Sequence, residues 1–229
     1  MTSRCWAIVP AAGVGVRMGA TTPKQYLALA GRPVIEWSLA PLVRSASVVA
    51  VVVATAPGDP FWEGIAVGSA KLRRVDGGLR RQDSVLQGLH VLEGIADPED
   101  WALVHDAARP CLADEDLAEL LARVEADGLG GLLACPLRDT LKHASSDGRV
   151  RRTVPRDNLW QALTPQVFRY GALRTALESA AEAGIEVTDE ASAMELAGHS
   201  PLLVPGNPAN IKITRPGDLA LASAFLEGR

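Results

Sequence analysis

Apolar residues along this chain fall into short continuous runs separated by longer stretches with helical spacing. Cys5 to Pro10, Val48 to Ala54, Lys71 to Val75, Trp101 to His105 and Gly130 to Pro136 have strand length. Between them, Val34 to Arg44 carries Val34, Ile35, Trp37, Leu39 and Leu42 on one broad face. Ser84 to Ile95 repeats Val85, Leu86, Leu89 and Leu92, and Asp114 to Ala126 predicts a further helix. This β/α alternation predicts parallel strands joined by right-handed crossovers, hence a three-layer α/β/α Rossmann-like fold with a mostly parallel sheet. Ligands in such sheets lie outside the carboxyl ends of the strands. Those ends hold Pro10 to Arg17, Asp76-Gly77-Gly78 and His105 to Pro110, all rich in glycine, charge or both.

The rhythm breaks after Pro136. Thr140 to His143 and Arg149 to Val154 are β-prone but poor in apolar residues, and Asp147-Gly148 between them signals a hairpin. Such a ribbon cannot bury a face of its own, so it either leans on another chain or is a mobile surface ribbon. Tyr170 to Ala183 reads as a helix stopped by Gly184. Thr188-Asp189-Glu190 opens another, with a capping hydroxyl or carboxylate, running to Leu196. A strand at Leu202 to Val204, an extended piece at Asn210 to Ile213 and a last helix from about Pro216 follow. The reading is one domain over 1–229, with 137–158 as a projecting β-arm.

The run Ala11 to Gly19, followed by Pro23-Lys24-Gln25-Tyr26, places a glycine-rich turn and two cations, Arg17 and Lys24, beyond the first strand. Backbone N–H groups in such a turn can close on phosphate. A Walker loop needs Gly-Lys followed by Ser or Thr, which is missing. A dinucleotide fingerprint needs a third glycine where Met18 stands, and an acidic residue after the second strand, where Ala54-Thr55-Ala56 stands instead. What remains is either a surface turn with two solvated cations or a loop suited to a polyanion under attack.

A formal net charge of −4 without charge blocks excludes a basic nucleic-acid stripe, and Arg149, Arg151 and Arg152 are too short a cluster to change that. The longest apolar run is far short of the ~20 residues of a membrane helix. Cys5, Cys111 and Cys135 show neither CxxC pairing nor zinc spacing. No signal-peptide pattern precedes the glycine turn. A cytoplasmic protein acting on small molecules is expected.

Further segments extend the pattern: Gly77 to Val85 (GGLRRQDSV), Val104 to Pro110 (VHDAARP), Arg138 to Lys142 (RDTLK), Thr164 to Gln166 (TPQ), Thr188 to Ser192 (TDEAS) and Asn210 to Thr214 (NIKIT). With AAGVGVRMG and PKQY, in this order and nearly end to end, the chain resembles the 2-C-methyl-D-erythritol 4-phosphate cytidylyltransferase family. The resemblance implies a nucleotidyltransferase fold, transfer of CMP from CTP to a methylerythritol phosphate, and a role in non-mevalonate isoprenoid synthesis. It implies Mg2+ or another divalent cation held mainly by substrate phosphates, and a homodimer formed through the 137–158 arm.

It also implies roles for particular residues. Arg17 and Lys24 would be catalytic, set against the triphosphate. Pro10, Ala11, Ala12, Gly13, Gly15, Gly78, Arg81, Ser84, Asp106 and Ala107 would hold the nucleotide. Asp106, Arg109, Thr164, Thr188 and Lys212 would position the second substrate, with Thr140 and Arg156 reaching a neighbouring subunit's substrate. Leu79 stands where some relatives carry a polar residue, and Val16 where many do. Ser84 is also a candidate helix N-cap. Asp106 has a second reading as a loop ion pair with Arg109. His105 is expected to shape its loop rather than perform acid/base work. The alternatives are a sister enzyme acting on ribitol 5-phosphate and a non-catalytic nucleotide-binding regulator; two cations at the α-phosphate speak against the regulator.

Overall fold

A computed structural model describes residues 4–13 and 22–228. In chain order its strands are β1 (Cys5–Ala11), β2 (Ala28–Leu29), β3 (Arg32–Pro33), β4 (Val48–Thr55), β5 (Leu72–Asp76), β6 (Trp101–Val104), β7 (Gly130–Pro136), β8 (Leu141–Ala144), β9 (Val150–Val154), β10 (Trp160–Arg169) and β11 (Leu202–Pro205). The helices are α1 (Val34–Arg44), α2 (Arg81–His90), α3 (Asp114–Asp127), α4 (Tyr170–Glu182), α5 (Glu190–Leu196) and α6 (Gly217–Glu227). Seven strands form one sheet in the order β11-β7-β10-β6-β1-β4-β5. All its pairings are parallel except those of β10, which runs antiparallel between β6 and β7.

Because α helices cover both faces, the central strands read as unbroken apolar runs rather than alternating ones. In β1, Ala7 and Val9 face a core shared with α1 and α3, while Trp6 and Ile8 face one shared with α2, α4 and α5. Ile8 has no exposed surface, and burying such a side chain contributes ~2 kcal/mol. Helix α2 lies close on it: a Cβ at Gly88 would sit 2.6 Å from Ile8 Cγ2. A smaller cluster of Leu29, Val34, Ala108, Cys111, Ile213 and Ala222 docks α6 beneath the loop that leaves β6.

The predicted strands and helices form, with differences that have local causes. Strand β10 was not foreseen, because Gln161, Thr164, Pro165 and Gln166 interrupt its apolar run. Its pairing with β7 shifts register between Ala162 and Gln166, which accommodates Pro165 where a ladder donor is missing. Helix α2 starts at Arg81 rather than Ser84, because the Asp83 carboxylate accepts the Arg80 N–H at 3.1 Å and caps the earlier turn. Ser84 is therefore inside the helix and not its N-cap. The same helix ends at His90, followed by turns around Gly94, whose φ is +73°. Asn210 to Ile213 is loop, joined to the β6 loop by Ile213 N–H donating to Ala108 O at 2.8 Å.

The hairpin forms as a separate two-stranded sheet, β8 against β9. Leu141 and Val154 pair at its base, half-buried, and nearly all of the remainder is exposed. Lys142 Nζ donates across it to Thr153 Oγ1 at 2.7 Å. No helix among the described residues is long and apolar enough to cross a membrane.

Candidate active site

The sheet changes connection direction around β1, whose neighbours β4 and β6 lie on opposite sides. A crevice opens beyond the carboxyl ends of such strands, because the loops there diverge. Here it is a cavity of about 470 Å³ lined by Pro10, Ala11, Ala12, Gly13, Lys24, Gly78, Arg81, Ser84, Asp106, Ala107 and Lys212. A second cavity of about 160 Å³ is lined by Arg109, Thr164 and Thr188, and shares Arg81, Asp106 and Lys212 with the first. Most of the residues assigned from sequence to a nucleotide line the first chamber, and Arg109, Thr164 and Thr188, assigned to an acceptor, line the second, with a common wall between them. A larger hollow of about 790 Å³, between α1 and α3, includes none of these residues.

Each wall has an identifiable support. Gln25 is buried, and its side-chain amide donates to Ala11 O at 2.7 Å and Gly13 O at 3.1 Å, tying the Lys24 segment to the turn after β1. Opposite, Gly78 N–H donates to Ser84 Oγ at 3.1 Å, so the Ser84 hydroxyl holds the loop from inside α2. Glycine is needed at Gly77, where a Cβ would come within 2.8 Å of both Ala12 Cβ and Ser84 Oγ. A Cβ at Gly78 would fall on that of Asp83. Backbone from the two loops therefore approaches more closely than side chains permit.

Asp106 is the electrostatic centre of the common wall. Its Oδ1 accepts from Arg81 Nε at 3.0 Å, and its Oδ2 faces Lys212 Nζ at 2.9 Å and Arg109 Nε at 3.3 Å. The ion pair with Arg109 read as an alternative from sequence is thus present, inside a larger network. Burial alone would raise the Asp106 pKa, but Arg81, Lys212 and Arg109 outweigh it and hold the carboxyl well below its ordinary range. The Arg109 pKa is lowered by burial, with Asp106 opposing. Glu190 takes the other side of Arg81, with Nη1–Oε1 at 2.7 Å and Nη2–Oε2 at 3.0 Å. Burial would lower the Arg81 pKa, yet Glu190 and Asp106 raise it. Three cations against two carboxylates leave the wall one positive charge in excess, with Lys24 nearby, which suits a polyanionic ligand.

Beneath Asp106 lies a second network. Thr164 Oγ1 accepts the Asp106 N–H at 3.0 Å and lies 3.0 Å from His105 Nδ1. His105 Nε2 faces Arg109 O at 3.2 Å. A carbonyl can only accept, so Nε2 carries the proton, Nδ1 accepts, and the Thr164 hydroxyl donates to it. Thr164 accordingly braces the Asp106 backbone. Burial pushes the His105 pKa down to about 4, so the imidazole is neutral at pH 7.

Among the described residues no three His, Cys, Asp or Glu side chains converge as a metal cage. Both Asp106 oxygens are already engaged by cations. Among the described residues these donors are therefore not arranged to hold a divalent ion by themselves.

The sequence profile of 2-C-methyl-D-erythritol 4-phosphate cytidylyltransferase, IspD, matches residues 5–228. The chain belongs to this family. It is 53% identical over 230 residues to the 2-C-methyl-D-erythritol 4-phosphate cytidylyltransferase of Ectopseudomonas mendocina, covering 99% of this chain and 98% of that one. Its fold superposes on a 4-diphosphocytidyl-2C-methyl-D-erythritol synthase crystal structure with a TM-score of 0.86 at 38% identity, covering 99% of this chain and 100% of the other. The Francisella tularensis enzyme gives a TM-score of 0.85 at 33% identity, covering 97% and 100%.

Within this family framework, Arg17 and Gly15 lie outside the described residues. Thr140 and Arg156 are exposed on or beside the hairpin and line neither chamber; Arg156 donates to Arg138 O. Besides Gln25, two further buried side chains were not anticipated as site residues. Gln166 links Asp189 to the sheet, with Nε2 donating to Asp189 Oδ2 at 2.9 Å and Oε1 accepting Ala191 N–H at 2.8 Å. Glu190, read from sequence as a helix-opening charge and as part of the TDEAS segment but not as a site residue, is 1% exposed. Their signal was the unusual presence of polar residues in otherwise apolar, packed segments.

Proposed function

We propose that this chain transfers CMP from CTP to 2-C-methyl-D-erythritol 4-phosphate, giving 4-diphosphocytidyl-2-C-methyl-D-erythritol and pyrophosphate. The observation that carries the reading is the shared wall of Arg81, Asp106 and Lys212 between a nucleotide-sized chamber and a smaller polar one. Cytidine fits the first, against the backbone of Pro10 to Gly13 and Gly78 and beside Ala107. The acceptor's polyol fits the second, against Asp106, Arg109 and Thr188.

An oxygen of the acceptor phosphate attacks the α-phosphorus of CTP in line. The new P–O bond forms as the bond from the α-phosphorus to the β-phosphate oxygen breaks, and pyrophosphate leaves with that electron pair. The attacking monoester is already ionised at neutral pH, so no general base is required. Rate enhancement comes from positioning and from neutralising negative charge. Lys24 supplies a compact charge at the triphosphate and Lys212 another at the phosphates. Arg17 would add a planar fork able to bridge two oxygens. Mg2+ held by the nucleotide's phosphates would share that load.

The exposed, apolar-poor arm over 137–158 supports a homodimer in which Thr140 and Arg156 of one copy reach the acceptor phosphate bound by the other, an isologous exchange. The buried thiols of Cys5, Cys111 and Cys135, none of them in a disulfide, suit a reducing cytoplasm.

The test is pyrophosphate release by purified protein with CTP and Mg2+. Release that requires methylerythritol phosphate is expected. Equal or faster release with ribitol 5-phosphate would reassign the acceptor, and no release with either would leave a nucleotide-binding regulator.

A further inference from the structure

Glu190 is the one buried carboxylate at this site that lines neither chamber. Among the described residues its side chain bonds to Arg81 alone, through both Nη atoms. It opens α5, yet that helix start is held without it. Asp189 Oδ1 accepts the Ser192 N–H at 3.0 Å, Ser192 Oγ accepts the Asp189 N–H at 3.2 Å, and Gln166 takes the Ala191 N–H. A buried ion pair is a poor source of stability, because desolvation offsets most of the attraction. The geometry therefore asks for another reason to keep a charge here.

We infer that Glu190 is a positioning residue for the phosphorylated acceptor, acting by clamping the Nη pair of Arg81 so that only its Nε reaches Asp106. An unclamped guanidinium prefers two parallel bonds to a carboxylate. Arg81 would then rotate its fork flat onto Asp106, occupy both oxygens and displace Lys212 and Arg109 from Oδ2. With the clamp in place, Oδ1 belongs to Arg81 while Oδ2 holds Lys212 and Arg109 toward the small chamber. Arg81, Asp106 and Lys212 border the nucleotide chamber too, but that chamber is also walled by Pro10 to Gly13, Gly78 and Ser84, none of which bonds Glu190. Its loss should therefore be felt asymmetrically by the two substrates.

The inference rests on the cytidylyl-transfer reading, and the experiment separates the two. Steady-state kinetics of the full chain with CTP and methylerythritol phosphate are measured for wild type, Glu190→Gln, Glu190→Asp, Arg81→Lys and Arg81→Lys/Glu190→Gln, with thermal melts confirming folding. Glu190→Gln is expected to raise the acceptor KM about tenfold and the CTP KM less than about twofold. Glu190→Asp, which keeps the charge on a shorter stem, should fall between. In the Arg81→Lys background, which lacks a fork to clamp, Glu190→Gln should add less than about twofold. Equal changes in both KM values, or full multiplication of the two effects, would overturn the inference by making Glu190 a structural residue. If Glu190→Gln fails to fold, the same cycle is run with Glu190→Asp and the same criteria. A wild type that releases no pyrophosphate overturns the functional reading itself; an active wild type matched by Glu190→Gln overturns only the role of Glu190.

Discussion

Lowering the pH from neutral should destabilise this protein through the buried imidazole of His105. His105 has no exposed surface, and its two nitrogens are committed to Arg109 O and the Thr164 hydroxyl. A second proton on Nδ1 would meet the hydroxyl proton, and the resulting charge would be buried beside Arg109. Burial therefore holds the His105 pKa at about 4, against 6.5 for the free side chain. The folded-state value is the lower one, so the contribution to stability is complete above pH 6.5 and is lost as pH falls toward 4, where the unfolded chain takes up a proton that the folded chain refuses. By linkage, about 2 kcal/mol should be lost between pH 7.5 and pH 5, and about 3 kcal/mol by pH 4. Asp106 does not contribute in this window, because its cations hold its titration lower still. Urea unfolding of wild type and His105→Gln at half-unit pH steps isolates the effect. The variant retains an amide donor toward Arg109 O but does not titrate. Wild type should lose stability more steeply, by up to about 1.4 kcal/mol per pH unit, with the profiles converging as pH falls. Parallel profiles across this window would refute the neutral, doubly committed imidazole.

Other perturbations address the two chambers. Lys24→Ala and Arg17→Ala should each lower kcat about 100-fold or more with a smaller change in CTP affinity, measured by pyrophosphate release and nucleotide titration; unchanged turnover would remove them from the chemistry. Asp106→Asn leaves Arg81, Arg109 and Lys212 without their shared anion. It should cost about 2–4 kcal/mol in chemical unfolding, and loss of less than about 0.5 kcal/mol would mean that the network is solvated. Gly78→Ala forces a Cβ onto Asp83 and should raise the CTP KM about tenfold while leaving the acceptor KM near wild type, as read from initial rates.

The layered fold was legible because its central strands are buried on both faces and read as unbroken apolar runs, while the helices keep their period. Val34 to Arg44 and Gly130 to Pro136 form with the expected ends. Strand β10 escaped because its polar residues serve the site: Thr164 braces Asp106 and Gln166 fastens the start of α5, so function broke the pattern by which strands are recognised. Ser84 misled in a related way, since a hydroxyl that suits an N-cap here reaches out of the helix to Gly78. Asp106 and Arg109 drew notice at a strand end and Lys212 only through the family resemblance, and the three meet in one ion-pair network. Glu190 was not read as a site residue, because spacing conveys nothing about a contact 109 residues away with Arg81. Thr140 and Arg156 lie on the exposed arm and, among the described residues, line neither chamber.

In the proposed reaction an acceptor whose polyol occupies the small chamber attacks, through its phosphate, the α-phosphorus of a nucleotide in the large one. This attack is tested most directly with methylerythritol phosphate carrying 18O in its phosphate, incubated with CTP, Mg2+ and the protein, with products weighed by mass spectrometry. All the label should appear in the CDP-linked alcohol and none in pyrophosphate. Labelled pyrophosphate, or release of CMP in place of the CDP-linked alcohol, would contradict the account.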